Sequence, residues 1–224
     1  MTDTDSTNIA QQRNEILDRI STASQNAAGQ DVTLVAVSKV QPKPRIEAAL
    51  DAGQRVFGEN RVQEAQKRWA DRGKAYPDLR LHLIGPLQTN KADDAVALFD
   101  VIETLDRPKL AKALAKAIGK TGRRPDILIQ VNTGEEPQKA GVLPADLPDL
   151  LALSRTLDLS VSGLMCIPPV EEPAGPHFAL LTKLVRGHDL QTLSMGMSAD
   201  YETAIKFGAT HVRVGSGLFG ARVG

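Results

Sequence analysis

The chain opens with apolar residues spaced for a helix, then turns to short β-branched runs that recur to its end. Ile9, Ile16, Ile20 and Ala23 fall on one face of a helical wheel. Val32 to Val37 (VTLVAV) predicts the first strand. Ile46, Ala49 and Leu50 predict the helix after it, which stops at Gly53. Arg55 to Gly58 forms the second strand and Val62 to Trp69 the next helix. Leu79 to Gly85 is the third strand. Asp100 to Leu105 is the fourth, with Asp106 expected to cap a helix that carries Pro108 in its first turn. Asp126 to Asn132, Leu159 to Met165, Leu190 to Ser194 and His211 to Val214 supply the remaining four.

Strands alternating with helices, at roughly 28 residues per unit, imply a parallel sheet covered by helices. The fold class is α/β. Eight units point to a closed (β/α)8 TIM barrel with an extra N-terminal helix, where six or fewer would suit an open doubly wound sheet. No linker or low-complexity tract divides the sequence, so residues 1–224 read as one domain.

Composition narrows the function classes. Apolar residues make up 42% and charged residues 24%, ordinary for a globular protein with a full core. Lysine and arginine number 27, as do aspartate and glutamate, so no basic excess marks a nucleic-acid or anionic-membrane surface. The polar start MTDTDSTNIAQQRNEI lacks the features of a signal peptide, and no run of apolar residues is long enough to span a bilayer. Cys166 is the single cysteine, which excludes an intramolecular disulfide and fits a reducing, cytoplasmic setting. The four histidines show no metal-ligand spacing, and no metal is expected.

Chemistry in a barrel collects at the C-terminal ends of the strands. The first strand ends in Val37-Ser38-Lys39. Desolvation of a strand-end ammonium lowers its pKa and leaves a nucleophilic amine, the state a Schiff-base lysine needs. The plain alternative is a lysine that reaches past the strand into water or pairs with a loop carboxylate. The seventh strand runs into Ser194-Met195-Gly196-Met197-Ser198 and the eighth into Gly215-Ser216-Gly217. Those are the two loops where barrel enzymes commonly hold a phosphate, on backbone N–H groups and hydroxyls. Ser198 can equally be an ordinary helix N-cap. Arg213 alternates with Val212 and Val214 and so points to the opposite face; if that face is the barrel interior, it needs an acceptor there. A phosphate, a pyridine nitrogen or a strand carboxylate such as Glu103 would serve. His82, between Leu81 and Leu83, reads as either a hydrogen-bonded core histidine or a catalytic one.

Five segments together carry a resemblance: AVSK at 36–39, FGENRVQEA at 57–65, HLIGPLQTNK at 82–91, LSMGMSADYETAI at 193–205 and VRVGSGLFGAR at 212–222. The chain resembles the pyridoxal phosphate homeostasis proteins, relatives of the alanine racemase N-terminal barrel, from about residue 8 to its C-terminus. That resemblance implies pyridoxal 5′-phosphate as cofactor and Lys39 as its Schiff-base lysine. It places Ser198, Gly215 and Ser216 at the phosphate, Arg213 at the pyridine nitrogen and Asn60 beside the ring. Lys139 matches a lysine proposed to help hold or pass on cofactor. Leu81 stands where an aromatic residue often precedes the histidine, and Ser216 where threonine is frequent. Neither change removes a group the cofactor needs.

Racemases of this kind take a second base, a tyrosine, from a further domain of a partner chain. Here the only tyrosines are Tyr76 and Tyr201, on a predicted loop and a predicted helix. The expected function is therefore binding: a monomer that buffers pyridoxal 5′-phosphate or delivers it to dependent apoenzymes, without robust turnover. A weak amino-acid racemase using Lys39 is the alternative within the fold. A Schiff-base aldolase whose phosphate site holds substrate is the alternative outside it.

Overall fold

The computed structural model describes residues 3–69 and 75–220. The close of the last motif, at residues 221 and 222, lies outside the described residues. The strands are β1 (Thr33–Val37), β2 (Val56–Glu59), β3 (Arg80–Leu83), β4 (Val101–Leu105), β5 (Asp126–Gln130), β6 (Val161–Met165), β7 (Thr192–Met197) and β8 (His211–Val214). All pair in parallel in chain order, and β8 returns to β1 with Ala36 opposite Val214. The expected TIM barrel is the observed fold.

Helices cover it outside: α1 (Asp3–Gln25), α2 (Lys43–Asp51), α3 (Val62–Trp69), α4 (Ala92–Leu98), α5 (Pro108–Thr121), α6 (Leu147–Thr156), α7 (Ala174–Gly187), α8 (Tyr201–Lys206) and α9 (Ser216–Phe219). Strand alternation divides the burial into two compartments. Phe57, Leu83, Ile102, Ile129 and Leu164 face outward and pack with helix residues such as Ile46, Leu110, Leu114 and Phe178 in one continuous cluster. Inside the barrel, Val101, Leu128 and Met165 form a separate small apolar cluster. Val35 and Val37 of β1 also lie on the inner face, and Glu103, His82, Ser194 and Arg213 fill much of the remaining interior.

Helix α1 buries the expected face, Ile9, Ile16, Ile20 and Ala23, and packs against α2, α8 and α9. Two arginines fasten it. Arg13 donates to Gln54 Oε1 at 3.1 Å and to the Gly53 carbonyl at 3.1 Å, and Arg19 pairs with Glu202 on α8. The added helix thus joins the first and last units of the barrel.

Two local expectations are corrected. Asp106 does not cap α5. The chain stays extended through Arg107 (φ −160°, ψ 154°), so Arg107 takes the cap position and Pro108 starts the helix. The Asp106 carboxylate instead pairs with the Arg107 guanidinium, whose Nη2 reaches the Leu87 carbonyl at 2.9 Å. Strand β7 also runs three residues beyond Ser194. Gly196, at φ +90°, lets it continue to Met197 across a shift in register with β8. A Cβ at Gly196 would lie 2.6 Å from the Ala204 Cβ, so the bulge also admits α8 closely.

Gly163 gives a direct test of the barrel wall. It pairs with Thr192, and a Cβ there would sit 2.0 Å from the Thr192 carbonyl oxygen. Relief needs backbone movement, because no flexible side chain is involved. Gly163→Ala should cost about 3 kcal/mol or more, lowering the Tm by roughly 6–12 °C for a chain of this size. Thermal unfolding followed by circular dichroism checks this, and an unchanged Tm would show that the β6–β7 contact yields easily.

Candidate functional site

At the C-terminal mouth of the barrel, Lys39 follows β1 by two residues and is half-buried. Ser38 before it is fixed on both sides. Its N–H donates to the Gly58 carbonyl at 3.1 Å and its hydroxyl to Glu59 Oε1 at 2.6 Å. Glu59 is fully buried and also accepts from Trp69 Nε1 at 3.0 Å and from Arg68 Nη1 at 2.7 Å, both on α3. A buried carboxylate needs such a set of donors. The result is a rigid peg one residue from Lys39. Asn60, half-buried, leaves β2 immediately after Glu59. Its backbone crosses so close to Gly85 that a Cβ there would lie 2.3 Å from the Asn60 carbonyl oxygen.

The loops after β7 and β8 meet through Ser198. Its hydroxyl oxygen accepts from the Gly215 and Gly217 N–H groups, at 3.3 Å each. Ser198 is therefore no helix cap. Asp200 stands at that position and accepts from the Met197 N–H at 2.6 Å. Ser216 is exposed and opens α9, while Gly215 is half-buried and faces Val37. Lys39, Ser198, Gly215 and Ser216 thus converge where β7, β8 and β1 adjoin.

Arg213 points into the barrel with 4% of its surface exposed. Nη1 donates to Ser194 Oγ at 2.7 Å and Nη2 to the Cys166 carbonyl at 2.8 Å. Ser194 Oγ in turn donates to Glu103 Oε2 at 2.5 Å, and Glu103 Oε1 meets His82 Nδ1 at 2.7 Å. The direct separation of Arg213 Nη1 from Glu103 Oε2 is 3.8 Å. Burial pushes the Glu103 carboxyl upward. The His82 hydrogen bond, the charges of His82 and Arg213 and the Ser194 hydroxyl outweigh it and hold the group at about 2. Of the acceptors open to Arg213, a strand carboxylate is thus satisfied through a bridging serine. His82 is a core histidine with a carboxylate partner. Burial pushes the Cys166 thiol up to about 12, so it is inert as a nucleophile.

The sequence pattern gave no sign of three members of this arrangement. Ser194 reads as the end of an apolar strand. Glu59 stands in a polar cluster without an evident partner, and nothing marks Asp200 as the residue that replaces Ser198 at the cap. Lys139 sits apart from the β7–β8 cluster in the loop after β5, paired with Glu136 at 2.6 Å and near the Pro168 carbonyl at 3.5 Å.

Comparison with known proteins places this arrangement in context. The family model of the alanine racemase N-terminal domain matches residues 12–223. The pyridoxal phosphate homeostasis protein of Pseudomonas aeruginosa is 42% identical, the alignment covering 96% of each chain. That of Escherichia coli is 36% identical over 96% of this chain and 97% of its own. The chain belongs to the pyridoxal phosphate homeostasis protein family. Among solved structures, the family member PipY of Synechococcus elongatus, described with pyridoxal phosphate bound, superimposes with a TM-score of 0.82 at 39% identity, over 95% of this chain and 100% of that one. An alanine racemase from Clostridium difficile, 12% identical with a TM-score of 0.74, shares the fold, and the chain covers 57% of its length.

The residues present fit the cofactor named by this family. Two of the five N–H donors of the Arg213 guanidinium are used, which leaves donors for a ring nitrogen. Because Ser198 accepts from two amides, its hydroxyl proton is free to point at an anion. Gly217 packs closely, since a Cβ there would lie 3.1 Å from Val214 Cγ1 and 3.5 Å from Ser198 Oγ.

The depressed Glu103 carboxyl gives a pH signature. Its contribution to stability is present above its ordinary value of 4.5 and is lost as pH falls toward about 2. Wild type should lose about 1–3 kcal/mol more than Glu103→Gln between roughly pH 5 and pH 2.5, read by urea unfolding at each pH. A stability difference independent of pH would mean that Glu103 is not the ionised partner of Arg213.

Proposed function

We propose that this chain binds pyridoxal 5′-phosphate covalently through Lys39 and buffers or delivers it, without robust catalysis of its own. The observation that carries this reading is the meeting of three things at one mouth. These are an amine at the end of β1, the Ser198-linked loops after β7 and β8, and an inward arginine on β8 with unused donors. When bound, the cofactor supplies an aldehyde that condenses with amines. Lys39 then holds that aldehyde. Ser198, Ser216 and Gly215 would hold the phosphate, Arg213 would donate to the ring nitrogen, and Asn60 would flank the ring. The bound-cofactor structure of PipY and the names of the relatives support the choice of ligand.

An arginine at the ring nitrogen disfavours protonation there and weakens the ring as an electron sink. The tyrosines also speak against a racemase. Tyr76 packs under Arg55 at 4.9 Å, next to the strand starts, at the opposite end of the barrel from Lys39. Tyr201 is buried on α8 beneath Arg19, at 5.4 Å. On this reading residues 1–224 act as one cytoplasmic, monomeric domain. Its macromolecular partners are pyridoxal phosphate-dependent apoenzymes, not nucleic acid or membrane. No helix among the described residues is long and apolar enough to cross a bilayer.

Borohydride reduction of the yellow protein should fix one cofactor mass on the peptide containing Lys39. Lys39→Ala should remain folded and lose that adduct. An equal adduct on another lysine would move the anchor, and a colourless wild type that forms no adduct would favour the aldolase reading. Wild type that racemised alanine at about 1–1000 per second would establish the racemase instead.

Replacing both Ser198 and Ser216 with alanine deletes two hydroxyl donors, each about 1.5–3 kcal/mol toward a charged acceptor. The Kd for cofactor should rise at least about tenfold while the reducible adduct still forms at high cofactor concentration. An unchanged Kd in an absorbance titration would put the phosphate elsewhere.

A further inference from the structure

The polar column below Arg213 reaches further than the cofactor site requires. Arg213, Ser194, Glu103 and His82 are inward residues of β8, β7, β4 and β3, joined by contacts of 2.7, 2.5 and 2.7 Å. All four are buried, Glu103 and Ser194 completely. At its lower end, His82 lines a cavity of about 260 Å³ at the N-terminal mouth. The other walls include Thr33, Arg80, Asp126, Thr192 and His211, each the first residue of its strand. The column therefore spans the barrel from the cofactor side to this opposite opening.

We propose that Glu103 is a positioning residue for the cofactor ring, fixing the orientation of Arg213 through Ser194 and setting the local charge beneath the ring, with His82 completing its hydrogen bonds. This rests on the reading of Arg213 as the partner of the ring nitrogen. The geometry is specific. A guanidinium held only by the Cys166 carbonyl could swing about that contact. The Ser194 hydroxyl fixes its second nitrogen, and Ser194 is oriented because its own proton goes to Glu103. One negative charge beneath the arginine also offsets part of the positive charge under the ring, which would otherwise be uncompensated. Other titratable groups face the pair. His211 on β8 has its ring 5.7 Å from that of His82, and burial holds it down to about 4, so it adds no charge near neutral pH. Cys166 at the end of β6 stays a thiol. Arg80 lies at the rim of the mouth, paired with Asp126 at 3.5 Å.

The test reads the cofactor's own spectrum in holoprotein. Glu103→Gln keeps the shape and removes the charge, leaving the site more positive. The pH midpoint of the visible band of the Lys39-linked cofactor should fall by about one unit, the scale of a buried unit charge acting across the ring. Glu103→Asp, which keeps the charge, should recover most of that shift. Ser194→Ala keeps both charges and deletes the tether, so it should raise the Kd about fivefold and leave the midpoint in place. A folded Glu103→Gln protein with the wild-type midpoint overturns the proposal. So does a folded Glu103→Asp protein that behaves like Glu103→Gln. If Glu103→Gln does not fold, a wild-type Kd in Ser194→Ala overturns it. Wild type with no visible band would instead remove the cofactor reading on which the proposal rests.

Discussion

A permanently charged guanidinium inside a barrel governs much of this molecule. Placing a guanidinium in the interior costs several kcal/mol unless an anion and full hydrogen bonding compensate. Glu103 provides the anion from across the barrel, four strands away around the ring. Ser194 is needed because 3.8 Å is too long for a direct hydrogen bond. His82 is needed because a second carboxylate oxygen would otherwise be buried without a donor. Four strands are thus tied through their inner faces. The interior apolar cluster shrinks to Val101, Leu128 and Met165, and the outer helix layer supplies most of the hydrophobic stabilisation.

The two ends of the barrel divide the work. At the strand starts, Arg55 with Asp78, Arg80 with Asp126 and Arg123 with Asp100 form ion pairs open to solvent. Such pairs contribute little each and are screened by salt. At the strand ends the polar groups are more enclosed: Glu59 buried under Ser38, Ser198 half-buried under the β8 loop, Asn132 turning back on Glu136. These contacts hold loop backbone in place, which is what a binding site on short loops needs.

Much of this is legible in the residues because strand alternation is a strong signal. The parity of Val212, Arg213 and Val214 sets the arginine on the face opposite the valines, and Lys39 stands out as a charge closing an apolar strand. What escapes the sequence has physical causes. Ser194 looks apolar by its neighbours, since a small hydroxyl in a strand can face either a packed wall or a buried arginine. The partners of Glu59 lie nine and ten residues along, on α3, a distance no local pattern links. Asp106 meets the usual criteria for a cap, but helix start is set by where the chain first turns. Arg107 holds it extended for one residue more. The added length of β7 rests on Gly196 adopting a positive φ, a backbone state that glycine permits without dictating.

The pairing of β1 with β8 bears on how the protein is made. Lys39 precedes Arg213 by 174 residues, so the two sides of this mouth emerge far apart in time during synthesis. Helix α1 likewise waits for α8 and α9 to cover Ile9, Ile16 and Ile20. A ribosome-bound fragment lacking β8 has neither a closed barrel nor a counterpart for the early lysine. Barrel closure is thereby tied to translation of β8, and a chain truncated before it would leave its first helix and first strand edge uncovered.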